Sequence, residues 1–374
     1  MKKVFFLMLA SLLVFTACKK EFTITVKSNN EEWGSVIGGG TFAKGTEIEI
    51  KASPKAGYKF TKWDDDNTDN QRTIVVKKDA SYTAIFEKAS GGGGDEPGGG
   101  GDDPVQEEFS VSNTTKVLFS PGNLQWSATN GGNSATTHTV AGGGTAEGTW
   151  RFAPNQWDTI GANNENISST YSGWIDLFGW GTSGYNSKYP YMTSTTNSDY
   201  GNGTNNISGT NYDWGVYNEI YNSKTQTTDA PGTWRTLTKD EWNYLINSRT
   251  TSSGIRYAKA TVNGVAGLIL VPDSWSTSTY NLNSTNTTGA SYTTNVITSA
   301  QWTTLENAGC VFLPAAGYRY GTSVYNVGSG GGYWSATYHS SYYAYYLYFL
   351  SGDVNATDYY RYYGRSVRLV RSAE

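Results

Sequence analysis

Apolar and polar residues alternate with a period of two in five short runs: FTITV (Phe22 to Val26), EIEIKA (Glu47 to Ala52), YKFTKW (Tyr58 to Trp63), TIVV (Thr73 to Val76) and YTAIF (Tyr82 to Phe86). Gly, Pro, Asn or Asp bounds each run, so residues 22–88 are predicted as a small β unit whose strands bury one face. The pattern ends abruptly at Ala89. Between there and Pro104 stands ASGGGGDEPGGGGDDP, in which Gly loosens the backbone, acidic groups repel and no large apolar residue can order the chain. Residues 89–105 are therefore predicted to be a flexible Gly/Asp linker that lets the following domain reorient.

Residues 106–374 form one long domain rich in Trp, Tyr, Gly and Asn. VLFSPGNLQWSA (Val117 to Ala128) and TWRFAP (Thr149 to Pro154) read as strands, and the tracts from Asn163 to Asn211 as ordered loops pinned by Trp174, Trp180 and Trp214. Helical spacing occurs twice. Thr238 stands three residues before Glu241, followed by Trp242, Leu245 and Ile246; Thr298 stands likewise before Gln301, followed by Trp302 and Leu305. Each is a capping box, in which the hydroxyl satisfies an otherwise orphan amide. Between the two helices RYAKATV and GLILVP flank Asn263-Gly264, a two-residue hairpin signal.

After CVFLPAAGYR and the loop GSGGG come tyrosine-rich strands. Over 342–349, alternation puts Tyr345, Leu347 and Phe349 on one face and Tyr342, Tyr346 and Tyr348 on the other. Leu and Phe mark the buried face, so Tyr346 and Tyr348 are predicted to be displayed. In SVRLVR, Val367 and Leu369 read as core, which turns Arg368 outward. Asp353 to Tyr363 has no apolar periodicity beyond Val354 and reads as an exposed loop or short edge strand.

Composition gives this stretch a role. Ser335 to Arg371 holds ten Tyr and four Arg among Ser, Asn, Asp, His and Gly. Tyr offers large, stiff, amphipathic contact area and the small polar residues adaptable hydrogen bonds, the mixture of an antibody paratope. The candidate ligand-binding residues are Tyr338, His339, Tyr342, Tyr343, Tyr346, Tyr348, Asp353, Asn355, Asp358, Tyr359, Tyr360, Arg361 and Tyr363, expected to form one contiguous patch. The same stretch has no Lys, Glu, Gln, Met or Trp, types that make up 29 of the 229 residues from Gln106 to Trp334. Codons ending in a pyrimidine cannot encode any of the five, yet readily give Tyr, Asn, Ser, Asp, His and Arg. A tyrosine-rich β-hairpin shaped only by strand propensity is the other reading.

Charge and rare residues narrow the function. The net charge is −4, which argues against a nucleic-acid partner. Only His138 and His339 are present, in no metal-ligand or catalytic-triad spacing, so no metal, no cofactor and no enzymatic activity are expected. Met1-Lys2-Lys3, the apolar run Val4 to Phe15 and Thr16-Ala17-Cys18 form a signal peptide too short to span a bilayer. Cys310, in CVFLP, reads as a buried core thiol.

Three resemblances follow from these residues. The N-terminus resembles a bacterial lipoprotein signal (1–18), which implies lipidation of Cys18 and anchoring at the outer membrane or cell surface. GSVIGGGTFAKGTEIEIKASPKAGYKFTKW resembles the divergent InlB-type repeat, a β-grasp-like module acting as a stalk. FSPGNLQW, WRFAPNQWD, GWIDLFGWGTSGYNS, YDWG, WRTLTKDEWNYL, RYAKATVNGV and VFLPAAGYR resemble in series the C-type-lectin-like folds of formylglycine-generating-enzyme-like and Fibrobacter-type paralogous domains.

Within that domain YWSAT, AYYLYF and SVRLVR resemble the variable region of target proteins of diversity-generating retroelements, whose reverse transcriptase randomises adenines in Asn-type codons. The paired active-site cysteines of formylglycine-generating enzymes are not matched, because Cys310 stands alone in the domain; calcium-dependent sugar motifs are absent too. The expected fold is mixed α+β and β-rich: a β-grasp-like repeat module, the linker, then a C-type-lectin-like domain with two short helices. The expected function is recognition of a protein or glycan on another cell, phage or host surface. A fixed carbohydrate-binding module and a structural cell-surface component are the alternatives.

Overall fold

The computed structural model describes residues 20–31, 33–54, 58–88, 107–132 and 134–373. The signal peptide with Cys18 and the linker at 89–105 lie outside the described residues. The chain divides into two units, Met1–Asp102 and Asp103–Glu374.

The first unit contains seven strands and, among its described residues, no helix. All five predicted strands are present; Gly34–Ile37 and Gly40–Ala43 were not anticipated because their glycines interrupt the alternation. One sheet runs in the order 40–43, 21–28, 80–88, 58–63 and the other 34–37, 47–54, 71–75. Ile24, Ile50, Ala52, Trp63, Ala84 and Phe86 are sealed from solvent. Asn29 closes the unit by exchanging hydrogen bonds with both backbone groups of Phe86, each at 2.9 Å. Its described residues form a two-sheet β module.

The second unit is β-rich with short helices. Both capping boxes are complete: Thr238 caps Lys239–Asn243, which continues as one wider turn over Tyr244–Ser248, and Thr298 caps Ser299–Asn307. A third, single-turn helix, Trp214–Tyr217, adds to the two expected. The hairpin pairs Tyr257–Val262 with Val265–Leu270, and Asn263 and Gly264 take φ of 47° and 81°, the left-handed pair that a tight hairpin turn requires. The terminal strand Leu369–Ser372 returns to pair with Lys116–Phe119 near the start of the unit. Cys310 is a buried free thiol.

Three strands carry the tyrosine-rich stretch: Gly331–Tyr338, Tyr343–Phe349 in the middle, and Val354–Tyr360 at the edge. The middle strand lies between two cores. Leu347 and Phe349 join a cluster with Phe119, Trp242 and Leu313, while Ala344 and Tyr346, on the opposite face, join one built from Trp126, Trp180, Trp214 and Trp334. Trp180 and Trp214 are fully buried, and Trp174 is held under the Arg151 guanidinium at 3.7 Å, so all three loop tryptophans are anchored.

Candidate functional site

The strand register arranges the tyrosines. Tyr343 pairs with Tyr360, Ala344 with Tyr359, Tyr345 with Asp358 and Tyr348 with Asn355. Tyr343, Tyr345, Asp358 and Tyr360 share one face of the sheet, and Tyr348, Asn355 and Tyr359 share the other. The turn after the edge strand brings Tyr362 and Tyr363 around the end of the sheet. Tyr360 packs on Tyr343 at 4.6 Å and on Tyr362 at 5.1 Å, and Tyr363 packs on Tyr359 at 4.8 Å. The two faces therefore merge into one aromatic surface.

A second hairpin extends it. Tyr318–Tyr320 pairs with Ser323–Tyr325, and Tyr318 and Tyr320 reach Tyr363 at 5.4 and 5.2 Å. Tyr318 in turn stacks on Tyr325 at 5.4 Å. Tyr342, at 57 % exposure, is the most open ring of the series, and Tyr320, Tyr325 and Tyr359 are also exposed. The Tyr343 hydroxyl, hydrogen-bonded to Tyr360, is pushed up to about 12, and burial among its neighbours raises that of Tyr363 as well. Both of these phenols are therefore neutral donors at physiological pH.

Around Tyr345 the surface becomes polar. Lys239 lies 4.6 Å above the Tyr345 ring, His339 packs edge-on to it at 5.0 Å, and His339 Nδ1 stands 3.7 Å from an Asp358 carboxylate oxygen. Among the described residues no group of three or more His, Cys, Asp or Glu could hold a metal ion.

Of the predicted residues, His339, Tyr342, Tyr343, Asp358, Tyr359, Tyr360 and Tyr363 are brought together at this end. Asp353 and Asn355 are exposed but belong to the other end of the edge strand, Asn355 roughly 13 Å along the chain from Tyr359. Tyr348 is half-buried against the tryptophan-rich core rather than displayed. Tyr346 is only 5 % exposed, a correction to its expected display: the face opposite Leu347 is covered by a second core, and burial raises the pKa of its phenol. Of the segment Asp353 to Tyr363, expected as an exposed loop or short edge strand, Val354–Tyr360 is an edge strand.

Two arginine expectations are also corrected. Arg361 is buried between the rings of Trp180 and Tyr338, 4.7 Å from each, and donates to the carbonyls of Gly203 at 2.8 Å and Ser340 at 2.6 Å. It clamps the loop 200–203 to the 338–343 turn, which also leaves Tyr338 half-buried beneath it. Burial pulls its pKa down to about 10, still far above neutral. Arg368 points away from Val367 and Leu369, yet into protein: it is fully buried and donates to Gln156 Oε1 at 2.6 Å and the Phe312 carbonyl at 3.4 Å.

Residues that alternation did not identify are Tyr318, Tyr320, Tyr325, Tyr345 and Tyr362, together with Arg365. The tyrosine spacing of GYRYGTSVY, like that of the main stretch, was the available signal for the first three.

Residues 24–90 match the family model of the divergent InlB B-repeat domain, so the first unit contains such a repeat. Residues 285–370 match a domain of unknown function (DUF8237), which spans the second capped helix and the whole three-stranded sheet of the candidate site. No curated protein and no solved structure gives a significant match to the chain.

Proposed function

We propose that this chain is a lipid-anchored, surface-displayed binding protein. Cys18 carries the lipid at the bacterial outer membrane or cell surface, the InlB-type repeat is the stalk, and a C-type-lectin-like domain presents the tyrosine surface to a macromolecular ligand. The observation that carries this reading is the unbroken run of ring contacts from Tyr342 through Tyr343, Tyr360, Tyr362 and Tyr363 to Tyr318 and Tyr325. Each ring is partly open to solvent yet braced by its neighbours, so little side-chain entropy is lost when a ligand covers it. The absence of five residue types from Ser335 to Arg371 supports diversification of this same surface by a retroelement.

The test has two parts. Full chain and a Tyr342→Ser, Tyr359→Ser, Tyr360→Ser variant are screened against protein and glycan arrays; a ligand held by the parent should be lost at least about tenfold in the variant. Equal binding by both would refute the surface assignment. Sequencing of the gene's 3′ region in many lineages should find substitutions confined to codons 338–363 beside a reverse transcriptase gene. An invariant stretch with no such neighbour removes the diversification and leaves a fixed binder.

A further inference from the structure

Four arginines beside the aromatic surface are buried: Arg319, Arg361, Arg365 and Arg368. Three have clear destinations. Arg319 donates to the carbonyls of Leu177, Gly321 and Met192, Arg361 to those of Gly203 and Ser340, and Arg368 to Gln156 and Phe312. These side chains satisfy carbonyls left over by irregular loops.

Arg365 differs. Among the described residues its guanidinium makes no hydrogen bond and no ion pair, and its Nε is sealed away without an acceptor. The residue is 4 % exposed. Such a cation is expensive to bury without a partner, and Arg cannot shed its proton to escape the cost. The site is nevertheless built for it. Its guanidinium carbon lies 3.6 Å from the centre of the Tyr346 ring, with Trp334 and Tyr359 each at 5.4 Å. Gly332 makes the room: a Cβ there would stand 2.6 Å from Arg365 Nη1. The guanidinium is thus held in place among these rings and within 6.0 Å of Tyr363, so that two of its neighbours, Tyr359 and Tyr363, belong to the aromatic surface.

We infer that Arg365 is the anchor for a carboxylate of the ligand, the Asp or Glu side chain of a protein partner, received at the floor of the tyrosine surface. This deepens the binding reading above and rests on it. A carboxylate can accept two parallel N–H bonds from a guanidinium, the geometry for which a fork of donors is specific. A protein partner is favoured over an acidic sugar because the ring faces are already occupied. Tyr360 stacks against Tyr362 and Tyr363 with interplanar angles of 24° and 19°, and Tyr318 against Tyr325 at 25°. Faces stacked on one another are not free for a sugar ring, which stacks on an open face.

The experiment uses the full chain labelled with ¹⁵N at arginine, titrated with N-acetylglutamate amide and, in parallel, N-acetylglutamine amide and methyl glucuronoside. The glutamate probe should shift the Arg365 Nε–H signal saturably, at least about tenfold more tightly than the glutamine probe, while Arg361 and Arg368 signals stay in place. Equal response to glutamate and glutamine, or none to either acid, overturns the carboxylate anchor. A response to the glucuronoside alone overturns the protein class in favour of an acidic glycan. Arg365→Met should abolish the response. The acid-against-amide comparison on the unaltered chain decides the matter even if that variant does not fold. A silent Arg365 with an array ligand still lost on tyrosine substitution would sink this inference alone, not the binding surface.

Discussion

The Arg365 guanidinium carbon lies over the Tyr346 ring, 3.6 Å from its centre, and both residues are almost sealed from solvent. One tyrosine of the stretch is thereby a structural element while Tyr342, four residues away on the same chain, is open. Truncation should separate them. Tyr346→Ala removes a buried aromatic and strands the cation, at a cost of about 3–5 kcal/mol. Tyr342→Ala should stay within about 0.5 kcal/mol of the parent. Urea denaturation of both variants measures this, and comparable losses would contradict the burial of Tyr346.

Acidic pH should stabilise the second unit through two buried carboxyls. Burial pushes Asp213 up to about 6, outweighing the hydrogen bonds it accepts from Thr236, and pushes Asp176 up to about 6 against those from Ile160 and Asn164. Each folded-state value lies above that of the unfolded chain, so the native state keeps a proton the unfolded state has lost. Their contribution is full below about pH 4, declines as pH rises to about 6 and is flat above that, by an amount on the order of 3 kcal/mol per group. Asp65 and Asp199, lowered by hydrogen bonds from Arg72 and Ser194, act only at more acidic pH. Asp213→Asn retains an acceptor for Thr236 and removes one titration. Denaturation between about pH 4 and pH 6 should then show a shallower slope, and an unchanged slope would rule Asp213 out as its source.

Both capping boxes predict modest, chemically specific losses. Thr298→Ala leaves the Gln301 amide without the hydroxyl it meets at 3.2 Å, which costs about 1 kcal/mol, whereas Thr298→Ser should be nearly neutral. A shift of equal size in both variants, read from denaturation midpoints, would place the effect in the lost methyl instead.

In the first unit, an added Cβ on Gly34 would stand 2.4 Å from the Phe86 ring. Gly34→Ala should therefore destabilise that unit by about 1–3 kcal/mol through overpacking. Amide hydrogen exchange at Ala84 and Phe86 should quicken while Leu268 and Leu313 of the second unit are unchanged. Unchanged protection at Phe86 would mean that its ring can swing clear.

Local rules in the sequence determined five of the seven strands of the first unit, both capped helices and the Asn263-Gly264 hairpin. Each is set by contacts between residues close along the chain: a period of two, a hydroxyl three residues from an amide, a pair able to take positive φ. Cys310 and the loop tryptophans were legible for a similar reason, since large apolar groups have one favourable destination.

Which tyrosines meet solvent was decided only by the tertiary structure. Alternation sorts a strand into two faces but does not say that one is wet, and the strand Tyr343–Phe349 has a core on each side, so Tyr346 is buried on one face as Leu347 is on the other. Arg361 and Arg368 read as surface residues because charge is costly to bury. Distant loops bring carbonyls to them, from Gly203 in one case and Phe312 in the other, and no local pattern encodes that supply. The Tyr318–Tyr325 hairpin joins the surface, and Arg365 comes to lie beneath it, through pairings between segments far apart along the chain; the spacing of side chains along one strand carries no information about what the rest of the fold lays against it.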